Sequence, residues 1–159
     1  MALKNQPLPA AYPTLLPYLV VRRAAQAIEF YKHVFGAIEI IRLAAPDGSI
    51  GHAEINIGSA HIMLSEENQA WGSTSPETLG GSPVTLLIYV ADVDAIFTAA
   101  IKAGAKEKMP LINQFWGDRS GQVIDPFGHH WHIATHIEDV DPNDLQQRMA
   151  DAFSANHAK

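Results

Sequence analysis

Cysteine is absent from this 159-residue chain. Disulfides and thiolate metal ligands are therefore unavailable, and any metal site must use His, carboxylate or water. The sequence also lacks a run of about 18 apolar residues and a basic segment leading into an apolar core, which argues against a membrane span and a signal peptide. Basic clusters are missing too, and a formal charge of −6 disfavours nucleic acid. We expect a cytoplasmic protein without membrane or nucleic-acid partners.

Several motifs of enzyme chemistry are lacking as well. The chain has no nucleophile motif, no phosphate-cradling glycine loop and no dinucleotide fingerprint, and Gly80-Gly81 has no suitable helix start after it. Covalent catalysis and nucleotide cofactors are therefore disfavoured. The hydrophobic content of 47% is instead typical of a globular protein, either one domain or two small fused modules.

Polar chemistry is concentrated between Gln114 and His136, which hold two Trp, four His, two Asp and an Arg. Within this stretch, Asp125-Pro-Phe-Gly128 predicts a turn between two antiparallel strands. Because side chains alternate along a strand, Trp131 should face the core and His132 the opposite side. One face is thus apolar and the other can hold a ligand.

The order of predicted elements repeats along the chain. The first set comprises a strand (Leu15–Val21), a helix (Ala24–Phe35) and three strands (Ile38–Leu43, Gly51–Ile57 and Ala60–Ser65). The second comprises a strand (Val84–Val90), a helix (Val93–Lys102) and strands around Glu107–Met109, Gly121–Ile124 and His129–Thr135. An offset of 68 residues relates Gly36, after the first helix, to Gly104, after the second. The predicted fold is α+β, with βαβββ modules at 15–67 and 84–136.

The segments outside the modules have different predicted roles. Residues 1–14 form a proline-containing arm that should lie across the surface, and residues 68–83 form a connector without regular elements. Residues 137–159 contain a predicted helix, Pro142–Phe153, with Leu145 and Met149 on an apolar face. A monomer would leave that face uncovered, so we predict a homodimer.

The two βαβββ repeats, the Phe35-Gly36-Ala37 helix end and the Asp125-Pro-Phe-Gly128 turn resemble the vicinal oxygen chelate superfamily. Its members include glyoxalase I, extradiol dioxygenases, fosfomycin-modifying enzymes and bleomycin-binding resistance proteins. Gly51-His-Ala-Glu-Ile55, Ile62-Met-Leu-Ser65 and Phe115-Trp-Gly-Asp-Arg119 are similar to its PhnB-like branch. The resemblance implies the glyoxalase/bleomycin resistance/dioxygenase fold, with open β-clefts that bind a small molecule, commonly in dimers.

The resemblance also bears on metal binding. In metal-dependent members, four ligands come from the first and last strands of the two modules. His132 matches one of these positions, but Met63 and Thr85 fall at two others, and Leu16 or Pro17 at the fourth. Met is a poor ligand for a hard or borderline divalent ion. The usual four-ligand site is therefore not preserved, and the cleft holds either no metal or one divalent ion, Zn, Ni, Mn or Fe, on another set.

A second polar set lies on one strand. His52, Glu54 and Asn56 share a face by alternation, opposite Ala53 and Ile55. Together with His132, His52 and Glu54 are the candidate ligands of a divalent ion. By themselves, His52 and Glu54 are either an acid/base pair or only a polar strand face.

The remaining candidates are contacts to a ligand. Trp116, beside Gly117 in a loop, is a candidate lid or platform for a planar ligand, with Met63 nearby on the cleft wall. Asp118 and Arg119 either form an ion pair with each other or contact the substrate. His61, His129 and His130 are expected at the surface, without a role.

Two functions stay open. The first is a glyoxalase-like enzyme, a lyase or isomerase that works with or without a metal ion. Its catalytic residues would be Glu54 and His132, and its substrate contacts His52, Met63, Trp116, Asp118 and Arg119. The second is a metal-free protein that binds and sequesters an antibiotic-like small molecule.

Overall fold

The computed structural model describes residues 9 to 157, which divide into two compact units. The first unit ends at Gly81 and the second begins at Ser82. The first eight residues of the predicted arm and the last two of the chain lie outside the described residues.

The first unit is a four-stranded sheet with one long helix. Its elements are β1 (Tyr18–Val21), α1 (Ala24–Phe35), β2 (Ile38–Ala44), β3 (Ile50–Ile57) and β4 (Ala60–Glu66). The strand order is β1-β4-β3-β2, with β1 and β4 parallel and the other pairs antiparallel. Apolar residues at helical spacing bury Ala27, Ile28 and Tyr31 of α1 on the side of the sheet that carries Ile55. The opposite side, which carries His52, Glu54 and Met63, is called the helix-free face.

The connector contains two short elements, so the expectation that it would hold none was wrong. A 3₁₀ turn, Gln69–Trp71, follows Asn68, whose side chain accepts a hydrogen bond from the Ala70 N–H. The helix α2, Pro76–Leu79, follows Ser75, whose hydroxyl accepts from the Thr78 N–H. Both follow a residue type, Asn or Ser, that caps the free backbone N–H groups at a helix start. In a segment rich in Asn, Ser, Gly and Pro, this capping signal is hard to tell from an ordinary loop.

The second unit repeats the arrangement. It contains β5 (Thr85–Tyr89), α3 (Val93–Lys102), β6 (Lys106–Asn113), β7 (Asp118–Ile124) and β8 (His130–His136), with the sheet order β5-β8-β7-β6. The Asp92 side chain caps α3 by accepting a 3.0 Å hydrogen bond from the Ala95 N–H. The shared strand order confirms the predicted α+β fold of two βαβββ repeats, built as open sheets.

The strands β6 and β7 are longer than predicted. They continue to Asn113 and start at Asp118, on either side of a tight turn in which the Gly117 N–H donates to the Gln114 carbonyl. The register shifts on both sides of Met109, next to Pro110, which has no N–H to donate. These irregularities broke the alternation on which the shorter prediction depended.

The C-terminal helix, α4, begins at Leu145 rather than at the predicted Pro142. The Asp141 carboxylate accepts from the Asn143 N–H, and the Asp144 N–H donates to the Asp141 carbonyl, so these residues form a turn first. Met149 and Phe153 of α4 are exposed. Among the described helices, none is long and apolar enough to cross a membrane.

Candidate acid-base site

A buried carboxylate lies at the centre of the helix-free face of the first unit. Glu54 is only 7% exposed, and its Oε1 and Oε2 atoms lie 3.0 and 3.2 Å from the Tyr12 hydroxyl. His52 Nε2 lies 3.0 Å from Oε1, and His61 Nε2 lies 2.9 Å from Oε2. These four residues are the Glu54 cluster.

The cluster holds Glu54 in its ionised form. The hydrogen bond from His52 lowers the pKa of the Glu54 carboxyl; burial opposes this, and the bonds from Tyr12 and His61 reinforce it. An ionised carboxylate only accepts hydrogen bonds, so Nε2 of each neighbouring imidazole must carry its proton. In a neutral ring this leaves the lone pair on Nδ1.

His52 therefore presents a basic nitrogen away from Glu54. Its Nδ1 lies 3.4 Å from the hydroxyl of Tyr18, a residue that is about half exposed, and the two rings are 5.9 Å apart. A carboxylate that fixes the tautomer and orientation of an imidazole is an arrangement suited to acid–base chemistry.

Tyr12 and His61 were not predicted as site residues. His61, expected at the surface, is largely buried, and its ring packs edge-on against Tyr12 with centroids 5.0 Å apart. The two-residue β3–β4 turn pairs His61 with Asn56, two positions from Glu54 on the same face, a signal that was available in the sequence. No comparable pattern pointed to Tyr12, which comes from the arm.

Apolar side chains border the cluster on both sides. Ile41 and Leu43 of β2 pair with Glu54 and His52 in the sheet, and both are substantially exposed. On the other side Met63, opposite Glu54, is half-buried. A ligand on this face would meet an apolar bed around one polar centre, the usual composition of a small-molecule site.

The second unit has a buried carboxylate of its own. Asp118 accepts hydrogen bonds from the Tyr89 hydroxyl (2.8 Å), Trp116 Nε1 (3.0 Å) and His136 Nδ1 (2.9 Å). Burial acts to raise the pKa of the Asp118 carboxyl, but these three bonds outweigh it and the pKa is lowered. Hydrogen bonds to Asp118 and Asp139 raise the pKa of His136.

The structure corrects the predicted ion pair between Asp118 and Arg119. As neighbours on β7 they point to opposite faces, and Arg119 instead binds Asp94 through two hydrogen bonds of 2.7 and 2.8 Å. Trp116, predicted as a lid or platform for a planar ligand, is half-buried with its N–H directed at Asp118.

His132 lies on the helix-free side of the second sheet. Its Nε2 is 2.8 Å from the hydroxyl of the buried Ser120, and burial lowers its pKa. Trp131, predicted as core, is buried and donates from Nε1 to Asp125 at 2.9 Å. Asp125 also closes the predicted turn, because its backbone carbonyl accepts from the Gly128 N–H.

The donor groups of the first unit do not match the needs of a divalent ion. Nε2 of both His52 and His61 is already directed at the Glu54 carboxylate, and no three His, Asp or Glu side chains among residues 9–157 are grouped as a metal site requires. These residues do not fit a resident ion as they stand. A metal site made of His52, Glu54 and His132 would combine residues of both units, and it stays a prediction.

The fold agrees with that of the proteins to which this chain is similar. The family model described as the Glyoxalase/Bleomycin resistance protein/Dioxygenase superfamily matches residues 13–133. An uncharacterized protein of Mycobacterium bovis is 44% identical over 141 residues, which cover 87% of this chain and 93% of the relative.

Two solved structures extend the comparison. TioX from Micromonospora sp. ML1 is 26% identical, with a TM-score of 0.62 over 79% of this chain and 100% of that one. The PhnB protein from Bacillus cereus, 16% identical, shares the fold with a TM-score of 0.63 over 77% of this chain and 99% of that one. With the family model matching most of its length, the chain belongs to the vicinal oxygen chelate superfamily of glyoxalases, bleomycin resistance proteins and dioxygenases.

Proposed function

We propose that the protein binds a small organic molecule on the helix-free face of the first unit and transfers a proton on it, in a lyase or isomerase reaction. The Glu54 cluster carries this proposal, because one buried carboxylate there orients two imidazole rings. Membership of a superfamily that commonly binds small molecules supports the same substrate class.

In the proposed reaction His52 is the catalytic residue. Its Nδ1 takes a proton from a C–H or O–H group of the substrate, and the ionised Glu54, 3.0 Å from Nε2, stabilises the resulting imidazolium. An isomerase returns that proton to another substrate atom, whereas a lyase delivers it to the leaving group. The Tyr18 hydroxyl, 3.4 Å from Nδ1, is displaced by the substrate.

Glu54 is then a positioning residue. Its oxygens already accept hydrogen bonds from Tyr12, His52 and His61, and the lowered pKa makes its carboxylate a weaker base. Direct proton shuttling by Glu54 is therefore the less favoured version of the mechanism. His132, beside Ser120, is proposed as a second acid–base group.

The second candidate function is binding and sequestration without chemistry. The apolar border of the cluster favours it, since Ile41 and Leu43 expose apolar surface that a planar compound would cover. Met63, Trp116, Asp118 and Arg119 stay proposed ligand contacts in either case. A divalent ion held by His52, Glu54 and His132 is the metal-assisted variant of the first function.

The test uses deuterium exchange. Purified protein is incubated in D₂O with a panel of small ketones and hydroxyketones, and exchange next to the carbonyl is followed by NMR. We expect exchange on at least one compound, and a loss of roughly 10²-fold or more in His52→Ala, the usual contribution of a general base. His33→Ala, which removes an exposed imidazole from α1, is the matched control.

Each alternative gives a different outcome. Saturation-transfer NMR on the same panel that detects binding without exchange would support sequestration. Exchange that appears only after Zn, Ni, Mn or Fe is added, and is lost in His132→Ala, would support the metal-assisted variant. Undiminished exchange in His52→Ala would overturn the proposed role of His52.

A further inference from the structure

A small cavity opens beside the Glu54 cluster in the first unit. Its volume is about 160 Å³, and its walls include Ser49, Ser65, Glu66, Asn68 and Trp71. A cavity of about 150 Å³ is large enough for benzene, so this one suits a group of five or six non-hydrogen atoms.

The cavity touches the proposed reaction site through one side chain. Tyr18 forms part of its wall, and the hydroxyl of the same residue lies 3.4 Å from His52 Nδ1. Gly51, the neighbour of His52 on β3, lines the cavity as well. The cavity and the proposed reaction site thus share Tyr18.

The chemistry of the walls is that of a cation site. Oε1 of Glu66 accepts the Ala24 N–H at 2.9 Å, while Oε2 accepts no hydrogen bond from the residues that the structure describes. Trp71 is 78% exposed, so its indole face is open to a ligand. The lining includes no Lys or Arg from the described chain. A carboxylate and an open indole together are what an ammonium group binds.

The surroundings of Glu66 favour an added positive charge. Burial raises the pKa of its carboxyl; the bond from the Ala24 N–H and the charge of Arg23 act to lower it, and Asp47 acts to raise it. Glu67 differs, because both of its oxygens already accept hydrogen bonds, from the Ser75 N–H and the Thr78 hydroxyl. Glu66 is thus the wall residue that a cation would neutralise.

We propose that this cavity binds a small organic ammonium group between Glu66 and Trp71, and that the substrate of the first unit is an amine of this kind. The second half of the statement rests on the proposed function, whereas the first half does not. The substrate would place its ammonium group in the cavity and its reactive C–H or O–H next to His52.

The experiment compares two molecules of nearly identical shape, tert-butylammonium and the neutral tert-butanol. Each is titrated into the full-length ¹⁵N-labelled protein, and the Trp71 indole resonance is followed after assignment with Trp71→Phe. We expect the ammonium ion to shift this resonance and tert-butanol to bind about tenfold more weakly, as loss of a charged hydrogen bond predicts. Equal binding of the two would overturn the proposal.

Two variants locate the binding groups. Glu66→Gln keeps an oxygen that accepts from the Ala24 N–H, so the fold should survive while affinity for the ammonium ion falls about tenfold. Trp71→Leu removes an exposed side chain and should weaken binding by roughly two- to fivefold. Unchanged affinity in Glu66→Gln would overturn the site.

His52→Ala, assayed for deuterium exchange on small aminoketones as well as on the ketone panel, separates this inference from the proposed function. Ammonium binding that persists in His52→Ala, together with loss of deuterium exchange, is the expected result. Binding without exchange by the wild type would contradict the proton-transfer function and leave the cation site standing. Exchange without ammonium binding would contradict the cation site and leave the proton-transfer function standing.

Discussion

Met63 and His132 occupy the same position in their respective sheets. Met63 pairs with Tyr18 on β1 and Glu54 on β3, and His132 pairs with Leu87 on β5 and Gln122 on β7. The two units thus share the same strand pairing but carry different polar groups at this position. The Glu54 carboxylate lies opposite the Met63 thioether in the first unit, whereas the His132 imidazole lies opposite the Gln122 amide in the second.

Glu54→Gln tests the central carboxylate. We expect the fold to persist, with the free energy of unfolding lowered by about 1 to 3 kcal/mol because three part-buried donors lose a charged acceptor. Activity or binding on the first unit should be lost, since His52 loses the group that orients it. Urea denaturation and the exchange assay measure these effects, with Glu107→Gln on β6 as the exposed control. Complete unfolding of Glu54→Gln would show a structural role instead.

Tyr12 should titrate above its ordinary value. The hydrogen bond to Glu54, burial and the negative charge of Glu54 raise its pKa above 10.0. A raised pKa means that Tyr12 contributes stability fully present below its unfolded value and lost as pH rises through its folded value. An ultraviolet difference titration of wild type against Tyr12→Phe measures the phenolate directly. A transition at the ordinary value would mean that Tyr12 does not contact Glu54 in solution.

Asp118 and His136 should give the second unit a stability window in pH. Because the pKa of Asp118 is lowered, this residue contributes stability that is fully present above its ordinary pKa of 3.8. The contribution is lost as pH falls through its folded pKa. Because the pKa of His136 is raised, this residue contributes stability that is fully present below its ordinary pKa of 6.5. The contribution is lost as pH rises through its folded pKa. Both contributions are therefore full between these ordinary values.

The measurement compares wild type with Asp118→Asn by urea denaturation across pH. The difference in midpoint should be largest inside that window and shrink on either side. An NMR titration of His136 should show its pKa falling in the variant. A pH-independent difference would contradict the coupling of the two residues.

Gly117→Ala should destabilise the protein more than an ordinary positive-φ substitution. At Gly117, with φ +97°, an added Cβ would lie only 2.0 Å from the Glu138 carbonyl oxygen, so the backbone must move. Gly36→Ala is the control, since Gly36 has φ +65° with nothing within 4 Å of a Cβ. We expect about 1 kcal/mol for the control and roughly 3 kcal/mol or more for Gly117→Ala. Equal losses in thermal unfolding would refute the close approach.

We also predict a homodimer. The exposed side chains of Met149 and Phe153 on α4 motivate this, because a second subunit that covered them would remove apolar surface from water. Sedimentation equilibrium should give twice the chain mass, and Phe153→Ser should shift it towards the monomer. A monomeric wild type at high concentration would rule the dimer out.

The fold was predictable because its signals are periodic and local. Helices α1 and α3 have the predicted bounds, since apolar spacing and the residues that end or cap them, Gly36 and Asp92, agree. The alternation that sent Ile55 to the core and Glu54 to the other face also held. The misplaced bounds of β6, β7 and α4 occur where bulges or side-chain turns replace the regular period.

The site was only half predictable for a different physical reason. His52 and Glu54 share a strand, so their proximity follows from spacing alone, whereas Tyr12 reaches Glu54 across 42 residues of sequence. A contact of that separation depends on tertiary packing, which periodicity does not encode. The misassigned partner of Arg119 has the same origin, because Asp94 lies on another element.

The parallel pairing of β1 with β4 determines when the cluster can assemble during synthesis. Tyr12 and Tyr18 leave the ribosome first, but Glu54 and His61 lie on strands made about forty residues later. In the sheet β4 lies between β1 and β3, so the arm contacts residues of two strands that are made after it. Tyr12 can therefore take its native position against Glu54 and His61 only after both β3 and β4 have been synthesised.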